Sequence, residues 1–379
     1  MSVFYGLPKV HKTGYPIRPI ISTIGSFQYE LSKYLARAIR KASPPANSYI
    51  KDSFEFVNKI KNTVLNKEKS YIMCSFDVES LYTNVPVYEA IDATLDHMFK
   101  PSKRIDLPFN RDQMKKLLEM SVCNAPFRFQ DRNFRQIDGV AMGSPLAPIL
   151  ADLWMQKMER KLNRFSTNKP NIWLRYVDDV FCIFDIPETK ITEFHSKINK
   201  WHNNLKFTRE YESNNSLPFL DVLVTRENNQ LTTSLYRKPT HTGLYLLWES
   251  CQNRQYKLGL IKTLVIRIHR ICSKQETIIK QIDLLKETLQ NNGYPPHIIR
   301  RGISEAKVII HKQSKGEITK KDEKVVFFTT TYYGQESLIF AARIKKICKK
   351  LIPNTRVQFA FKKHLSLKHV FLPSLKRHR

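Results

Sequence analysis

The chain has 379 residues, 42% of them apolar, which is long enough for more than one domain and too apolar for a disordered polymer. Its formal net charge is +29, unevenly spread: residues 1–225 hold 32 Lys and Arg against 24 Asp and Glu (+8), residues 226–379 hold 31 against 10 (+21). Basic residues interleaved with apolar helix patterns point to a polyanion, nucleic acid before a membrane surface, and no apolar run approaches the roughly 20 residues that span a bilayer.

In chain order, residues 4–24 read as two short extended segments around a turn at Thr13-Gly14, because Pro8, Pro16 and Pro19 disfavour helix. The spacing of Phe27, Leu31, Tyr34, Leu35 and Ile39 predicts a helix over 26–41, followed by a loop at 42–48. "YIMCSFD" at 71–77 reads as a buried strand ending in an acid. Asn84 is placed to cap the next helix, with Pro86 in its first turn and Val87, Ile91, Leu95 and Met98 as its inner stripe. A hairpin is expected at 127–136. The stretch 139–155 reads as a Gly-rich turn entering a helix, with Ser144 as N-cap and Pro145 as first helical residue. Further strands fall in "FTREYESNNSLPFLDVLVTR" and "LTTSLYRKPT". From about Gly243 the pattern is helical and basic, clearest over 258–292, then broken at Asn292-Gly293 and Pro295-Pro296. The order predicts an α+β fold with an antiparallel sheet, followed by a helical domain. The opening MSVFYGLPKVHK lacks the apolar core of a signal peptide. The six cysteines lie far apart without a C-x-x-C pair, which fits a reducing compartment.

The chemistry concentrates in "LRYVDDVFCIF", residues 174–184, where Asp178 and Asp179 stand together inside an apolar run. Taken alone, Asp-Asp between apolar segments is a hairpin turn, since Asp favours turns. Asp77 adds a third acid at the end of an apolar strand. If that strand and the hairpin are sheet neighbours, three carboxylates converge, and such a cluster calls for oxygen-seeking divalent cations. Two ions about 3.5–4 Å apart can stabilise both oxygens of an in-line phosphoryl displacement.

These stretches resemble the reverse transcriptases of Penelope-like retroelements, a telomerase-related group. "LPKVHKTGYPIRPIIS" is similar to the fingers motifs, "SFDVESLYTNVP" to the first catalytic motif, and "GVAMGSPLAPILADLWM" to the helix-and-turn motif below the nucleotide. "YVDDVF" is similar to the second catalytic motif, and "KFTREYE…LPFLDVLV" and "YRKPTHTGLYL" to the two that follow. The resemblance implies a right-hand polymerase, fingers and palm with an antiparallel sheet followed by an α-helical thumb. It implies partial, N-terminally truncated fingers at 1–75, a palm at 76–242, a basic helix-turn-helix-like thumb at 243–310, and a basic connector at 311–379 toward an absent GIY-YIG endonuclease. In that connector "TTTYYG" has no matching second half.

The resemblance also implies roles. Asp77, Asp178 and Asp179 would be catalytic and, with the Val78 carbonyl, would bind two Mg²⁺ ions, Mn²⁺ being the alternative. Arg18, with Lys9 or Lys12, would grip the triphosphate. Tyr82 would sit under the sugar and resist a 2′-hydroxyl, its plain alternative being a core tyrosine. Gly143 would allow close backbone approach to nucleotide or template, and Lys206 would protonate pyrophosphate. Tyr236, Arg237 and Lys238 would form the primer grip. Met142 departs from the glutamine common in the wider superfamily but suits the Penelope-like group. The implied activity is RNA-directed DNA polymerisation with an RNA template, a DNA primer and dNTP, an RNA–DNA duplex lying along the basic thumb. The implied setting is nuclear and intracellular, with no membrane. Two other readings share these residues: a catalytically impaired, retroelement-derived nucleic-acid-binding protein, and a telomerase-like cellular reverse transcriptase.

Overall fold

The computed structural model describes residues 1–10, 14–99, 108–165, 167–227, 230–315, 324–353 and 355–362. Lys12 and Thr13 lie outside them, as does much of the stretch 311–379. The chain divides into two compact units, 1–240 and 241 onward.

The first unit is organised by a four-stranded antiparallel sheet in the order Ile172–Tyr176, Asp179–Phe184, Ile72–Val78, Phe207–Tyr211. The period of two along Ile72–Val78 sends Cys74, Phe76 and Val78 into the main core and turns Asp77 to the opposite face. Phe76 packs there among Trp173, Phe194 and Phe207, with ring centroids 6.0–6.3 Å away. Asp179–Phe184 is central, and its Val180 through Phe184 are fully buried, as expected of an aromatic and β-branched strand covered on both faces. Helices Val87–Met98, Ala147–Glu159 and Glu188–Ile198 contribute to the same core.

A second sheet pairs Ser2–Pro8 with Ile17–Ser22 as a hairpin and, on its other side, with Pro126–Phe129, which pairs with Arg132–Arg135. A third joins Gln230–Leu235, Val222–Glu227 and Ser216–Phe219. The expected strand at 71–77 and the hairpins at 127–136 and 174–184 are present.

Some helix starts differ from expectation. The helix expected to begin at Pro145 begins at Ala147, because residues 144–146 form a tight turn in which the Leu146 N–H donates to Ser144 Oγ at 3.3 Å. Asn84 does not cap the helix after it. Its side chain donates back to the Glu79 carbonyl at 3.0 Å, closing a short turn Leu81–Asn84, and Pro86 precedes the helix Val87–Met98. In Phe27–Ala42 the buried stripe is Gln28, Ser32, Leu35, Ala36 and Ile39, while Phe27 is 77% exposed.

The second unit opens with the helices Arg254–Ile271, Gln275–Asn291 and Pro296–Ser314. The stretch read as continuous over 258–292 is interrupted at Cys272–Lys274, where no glycine or proline marks the break. Asn292 fastens the segment before the helices: its side chain donates to the Gly243 carbonyl (2.9 Å) and accepts from the Tyr245 N–H (2.8 Å). Beyond the helices, Lys324–Thr331 and Thr355–Lys362 pair in parallel with helix Gln335–Leu351 between them, a βαβ element in a stretch expected to be only a connector. No helix among the described residues is long and apolar enough to cross a membrane.

Two glycines of this unit make a paired test. A Cβ on Gly302 would stand 2.7 Å from Ile261 Cγ2 and 2.9 Å from Ile261 Cβ, whereas one on Gly259 meets nothing within 4 Å. Gly259→Ala should raise stability by about 0.5–1 kcal/mol through helix propensity. Gly302→Ala should lower it, because crowding a packed core costs about 1–3 kcal/mol. Denaturant unfolding of the two variants checks the opposite signs.

Candidate active site

The register of the central strands assembles the acids. Asp77 stands directly opposite Asp179, Phe76 opposite Val180 and Cys74 opposite Cys182. Tyr176 pairs with Asp179, so Val177 and Asp178 are the two residues of the hairpin turn. Val177 takes φ +55°, a strained conformation for a β-branched residue. The turn is tied to the neighbouring strand by the Val78 N–H, which donates to the Asp178 carbonyl at 3.0 Å. Two carboxylates at a directly opposed position repel each other.

Two clefts meet at these acids. One, of about 750 Å³, is lined by Asp77 and Asp178 together with Lys9, Arg18, Tyr82, Met142 and Gly143. The other, of about 730 Å³, is lined by Asp77 and Asp179 together with Thr208, Arg209, Tyr236 and Lys238. Asp77 thus borders both, Asp178 faces the side with Arg18, and Asp179 faces the side with Tyr236 and Lys238. Lys206 is exposed beside the strand end, its carbonyl accepting from the Glu79 N–H at 2.9 Å, and does not line either cleft. Arg237 lines neither.

Tyr82 reaches its cleft because the chain reverses just after the acid strand. Ser80 takes φ +51°, and the Thr83 hydroxyl donates to the Ser80 carbonyl at 2.9 Å. Burial first, and then the negative charge of Asp178, raise the Tyr82 phenol above its ordinary pKa, so it stays neutral.

The Gly139–Ser144 segment bridges the turn after the acid strand and the Ile17–Ser22 strand of the second sheet. On one side the Val140 N–H donates to the Tyr82 carbonyl at 2.7 Å, and a Cβ on Gly139 would lie 2.7 Å from the Thr83 oxygen. On the other, the Ile21 N–H donates to the Met142 carbonyl at 3.0 Å and the Thr23 hydroxyl to the Gly143 carbonyl at 2.9 Å. Gly143 takes φ +128°, and a Cβ there would collide with the Ile21 carbonyl oxygen. The close approach made by Gly143 within this chain is therefore to the Ile17–Ser22 strand that carries Arg18.

Sequence reasoning missed one group. Arg175 is fully buried, and its guanidinium pairs with Glu159 (Nε to Oε1, 2.7 Å) and with Asp152 (Nη2 to Oδ1, 2.8 Å). An arginine inside the apolar stretch "WLRYV" was a signal, since a buried guanidinium needs carboxylate partners. Asp152 and Glu159 were a second one, two turns apart on one face of an apolar helix.

The site offers oxygen donors, which suit a hard divalent cation. Among the described residues no group of three or more His, Cys, Asp or Glu stands at metal-holding spacing. The convergence of all three carboxylates expected from the sequence is therefore not found at that spacing; the register brings Asp77 and Asp179 opposite each other, with Asp178 on the adjoining turn.

A family model described as "Reverse transcriptase (RNA-dependent DNA polymerase)" matches residues 10–210, and one described as "Animal helix-turn-helix domain" matches residues 244–304. Among solved structures, telomerase from Candida albicans in complex with a TWJ fragment of telomeric RNA is similar at TM-score 0.56 and 10% identity, over 83% of this chain and 61% of that one. Telomerase from Candida tropicalis in complex with a TWJ fragment of telomeric RNA gives TM-score 0.47 and 16% identity, over 82% of this chain and 55% of that one. The first of these likenesses shows a right-hand polymerase fold, and the chain spans about three fifths of that telomerase chain's length. No curated protein sequence matches.

Gly143→Ala tests the bridge. Gly14→Ala imposes positive-φ strain in open space and should cost about 1 kcal/mol. Gly143→Ala adds a backbone collision worth about 1–3 kcal/mol more, and should melt at the lower temperature of the two. The reverse order would mean that the 139–144 segment yields.

Proposed function

The chain belongs to the reverse transcriptase (RNA-dependent DNA polymerase) family, whose model covers residues 10–210, and from that premise we propose that it is an RNA-directed DNA polymerase. The observation that carries the reading is the opposed pair Asp77 and Asp179 with Asp178 on the adjoining turn, at the meeting of two clefts of nucleotide size.

In this reading the cleft shared by Asp77 and Asp178 takes the incoming dNTP, and the cleft shared by Asp77 and Asp179 takes the primer end. Arg18 and Lys9 hold the triphosphate; a guanidinium fork matches phosphate oxygens. Tyr82 lies under the sugar. Tyr236 and Lys238, with Arg237 beside them, hold the primer backbone through aromatic and basic contacts. The primer 3′-hydroxyl attacks the α-phosphate in line, its proton passing to solvent as the bond to pyrophosphate breaks; Lys206, which lines neither cleft, is given no part in this step. Asp77, Asp178 and Asp179, with the Val78 carbonyl, would hold two Mg²⁺ ions, which when bound supply charge stabilisation at the attacking and leaving oxygens. The basic helices of the second unit bind the RNA–DNA duplex backbone.

The finer assignment is to the Penelope-like group, acting in the nucleus. It rests on the motif order and on "AMGSP" around Met142. A telomerase-like cellular enzyme would share the same site; acceptance of unrelated RNA templates favours the retroelement reading, and a strict requirement for one dedicated RNA favours the other.

The deciding experiment is primer extension on an RNA template with Mg²⁺. The wild-type chain should add template-directed deoxynucleotides. Asp178→Asn should lose extension by at least about 10²-fold, as expected when a charge-stabilising group is removed, while duplex affinity stays equal or rises because one negative charge is gone. Duplex binding by the wild type without extension would instead indicate an impaired nucleic-acid-binding protein. Tyr82→Ala should raise ribonucleotide incorporation relative to deoxynucleotide incorporation, measured as the ratio of kcat/KM values. A folded variant that rejects ribonucleotides as the wild type does would make Tyr82 a packing residue.

A further inference from the structure

A fully buried arginine is costly unless every donor is used, and Arg175 spends its donors in three directions. Nε donates to Glu159 Oε1 at 2.7 Å and Nη2 to Asp152 Oδ1 at 2.8 Å, both on helix Ala147–Glu159. Nη1 donates to the Val177 carbonyl at 3.1 Å. Glu159 is held in turn by Trp173 Nε1 (2.9 Å) and the Ser48 hydroxyl (2.8 Å). The Arg175 backbone is pinned as well: its N–H donates to the Ser48 carbonyl (2.6 Å), and its carbonyl accepts from the Ile50 N–H (2.9 Å).

The Val177 carbonyl belongs to the peptide that enters Asp178. The peptide that leaves Asp178 is held by the Val78 N–H at 3.0 Å. Both peptide planes flanking Asp178 are therefore fixed, one by the guanidinium and one by the neighbouring strand. Without the first, the strained Val177 conformation has a route to relax by rotating that plane, and the Asp178 side chain would swing with it.

We infer that Arg175 is a positioning residue for the reaction: it locks the Val177–Asp178 peptide to helix Ala147–Glu159 and so aims the Asp178 carboxylate into its cleft. This rests on the polymerase reading of that cleft. A lysine cannot replace it, because one ammonium cannot present planar, divergent N–H groups to two carboxylates and a carbonyl.

The test is Arg175→Lys, which keeps the buried positive charge. Measured on the full chain with an RNA–DNA primer–template are extension at saturating dNTP, KM for dNTP, duplex affinity and amide hydrogen exchange. Expected are a lowered melting temperature that still lies above the assay temperature, because part of a buried ion-pair network is lost, kcat down about 10²-fold, as for a misplaced reacting group, and KM and duplex affinity changed less than about threefold. The Val78 amide should exchange faster while the amides of residues 180–184 stay protected. Wild-type kcat with wild-type exchange at Val78 would overturn the proposal. So would faster exchange spread evenly over both central strands, which marks a core role only. Should Arg175→Lys fail to fold, Asp152→Asn loosens the same lock from a partly exposed side chain and must change kcat and Val78 exchange in the same direction, or the proposal fails. If the wild-type chain extends no primer, the polymerase reading fails by itself, and the exchange measurement still decides whether Arg175 holds the turn.

Discussion

Everything at the site depends on one pairing register. Phe76 faces Val180 across the central strands, and that places Asp77 opposite Asp179. A slip of one residue would turn Asp77 into the aromatic core and push Phe76 outward, because side chains alternate with period two. The burial of Phe76, Val180, Cys74 and Cys182 is therefore what gathers carboxylates separated by about a hundred positions of chain. The apolar face enforces the register, and the acidic face receives its geometry from it.

Around that register the backbone is held in conformations it would not choose alone. Val177 and Ser80 take positive φ on either side of the acid strand's end, and Gly139 and Gly143 take positive φ where the 139–144 segment threads between Thr83 and Ile21. Each such residue costs of order 1–3 kcal/mol where a side chain is present, and persists only when its surroundings over-determine it. Here the surroundings are specific: the Val78 and Arg175 bonds at the hairpin turn, and the Tyr82, Ile21 and Thr23 bonds at the glycine segment. The result is a cleft whose acids, tyrosine and arginine strand are joined by short, direct backbone bonds.

Much of this was legible in the sequence. Asp77 ends a plain apolar strand, and Asp178-Asp179 sit at the centre of a plain apolar hairpin, so local patterns located both. Their meeting was an inference from sheet adjacency. What the sequence hid is non-local or lacks local punctuation. Arg175 finds its partners 16 and 23 positions away, on a helix whose own pattern is apolar. The break at Cys272–Lys274 carries no glycine or proline, so helical spacing runs across it unmarked. The parallel pairing of Lys324–Thr331 with Thr355–Lys362 needs an intervening helix and has no hairpin signal between its strands. Ser144 looked like a cap, yet its hydroxyl serves a turn that delays the helix to Ala147.

The most direct measurement of the central claim is a crystal structure of the chain with primer–template, a non-hydrolysable dNTP and Mn²⁺, with anomalous scattering used to locate the metal. Manganese peaks bound by Asp77 and Asp178, beside the nucleotide phosphates and Arg18, are the expected result. A nucleotide bound in a different cleft, or Asp77 and Asp178 carboxylates too far apart to share an ion, would contradict it.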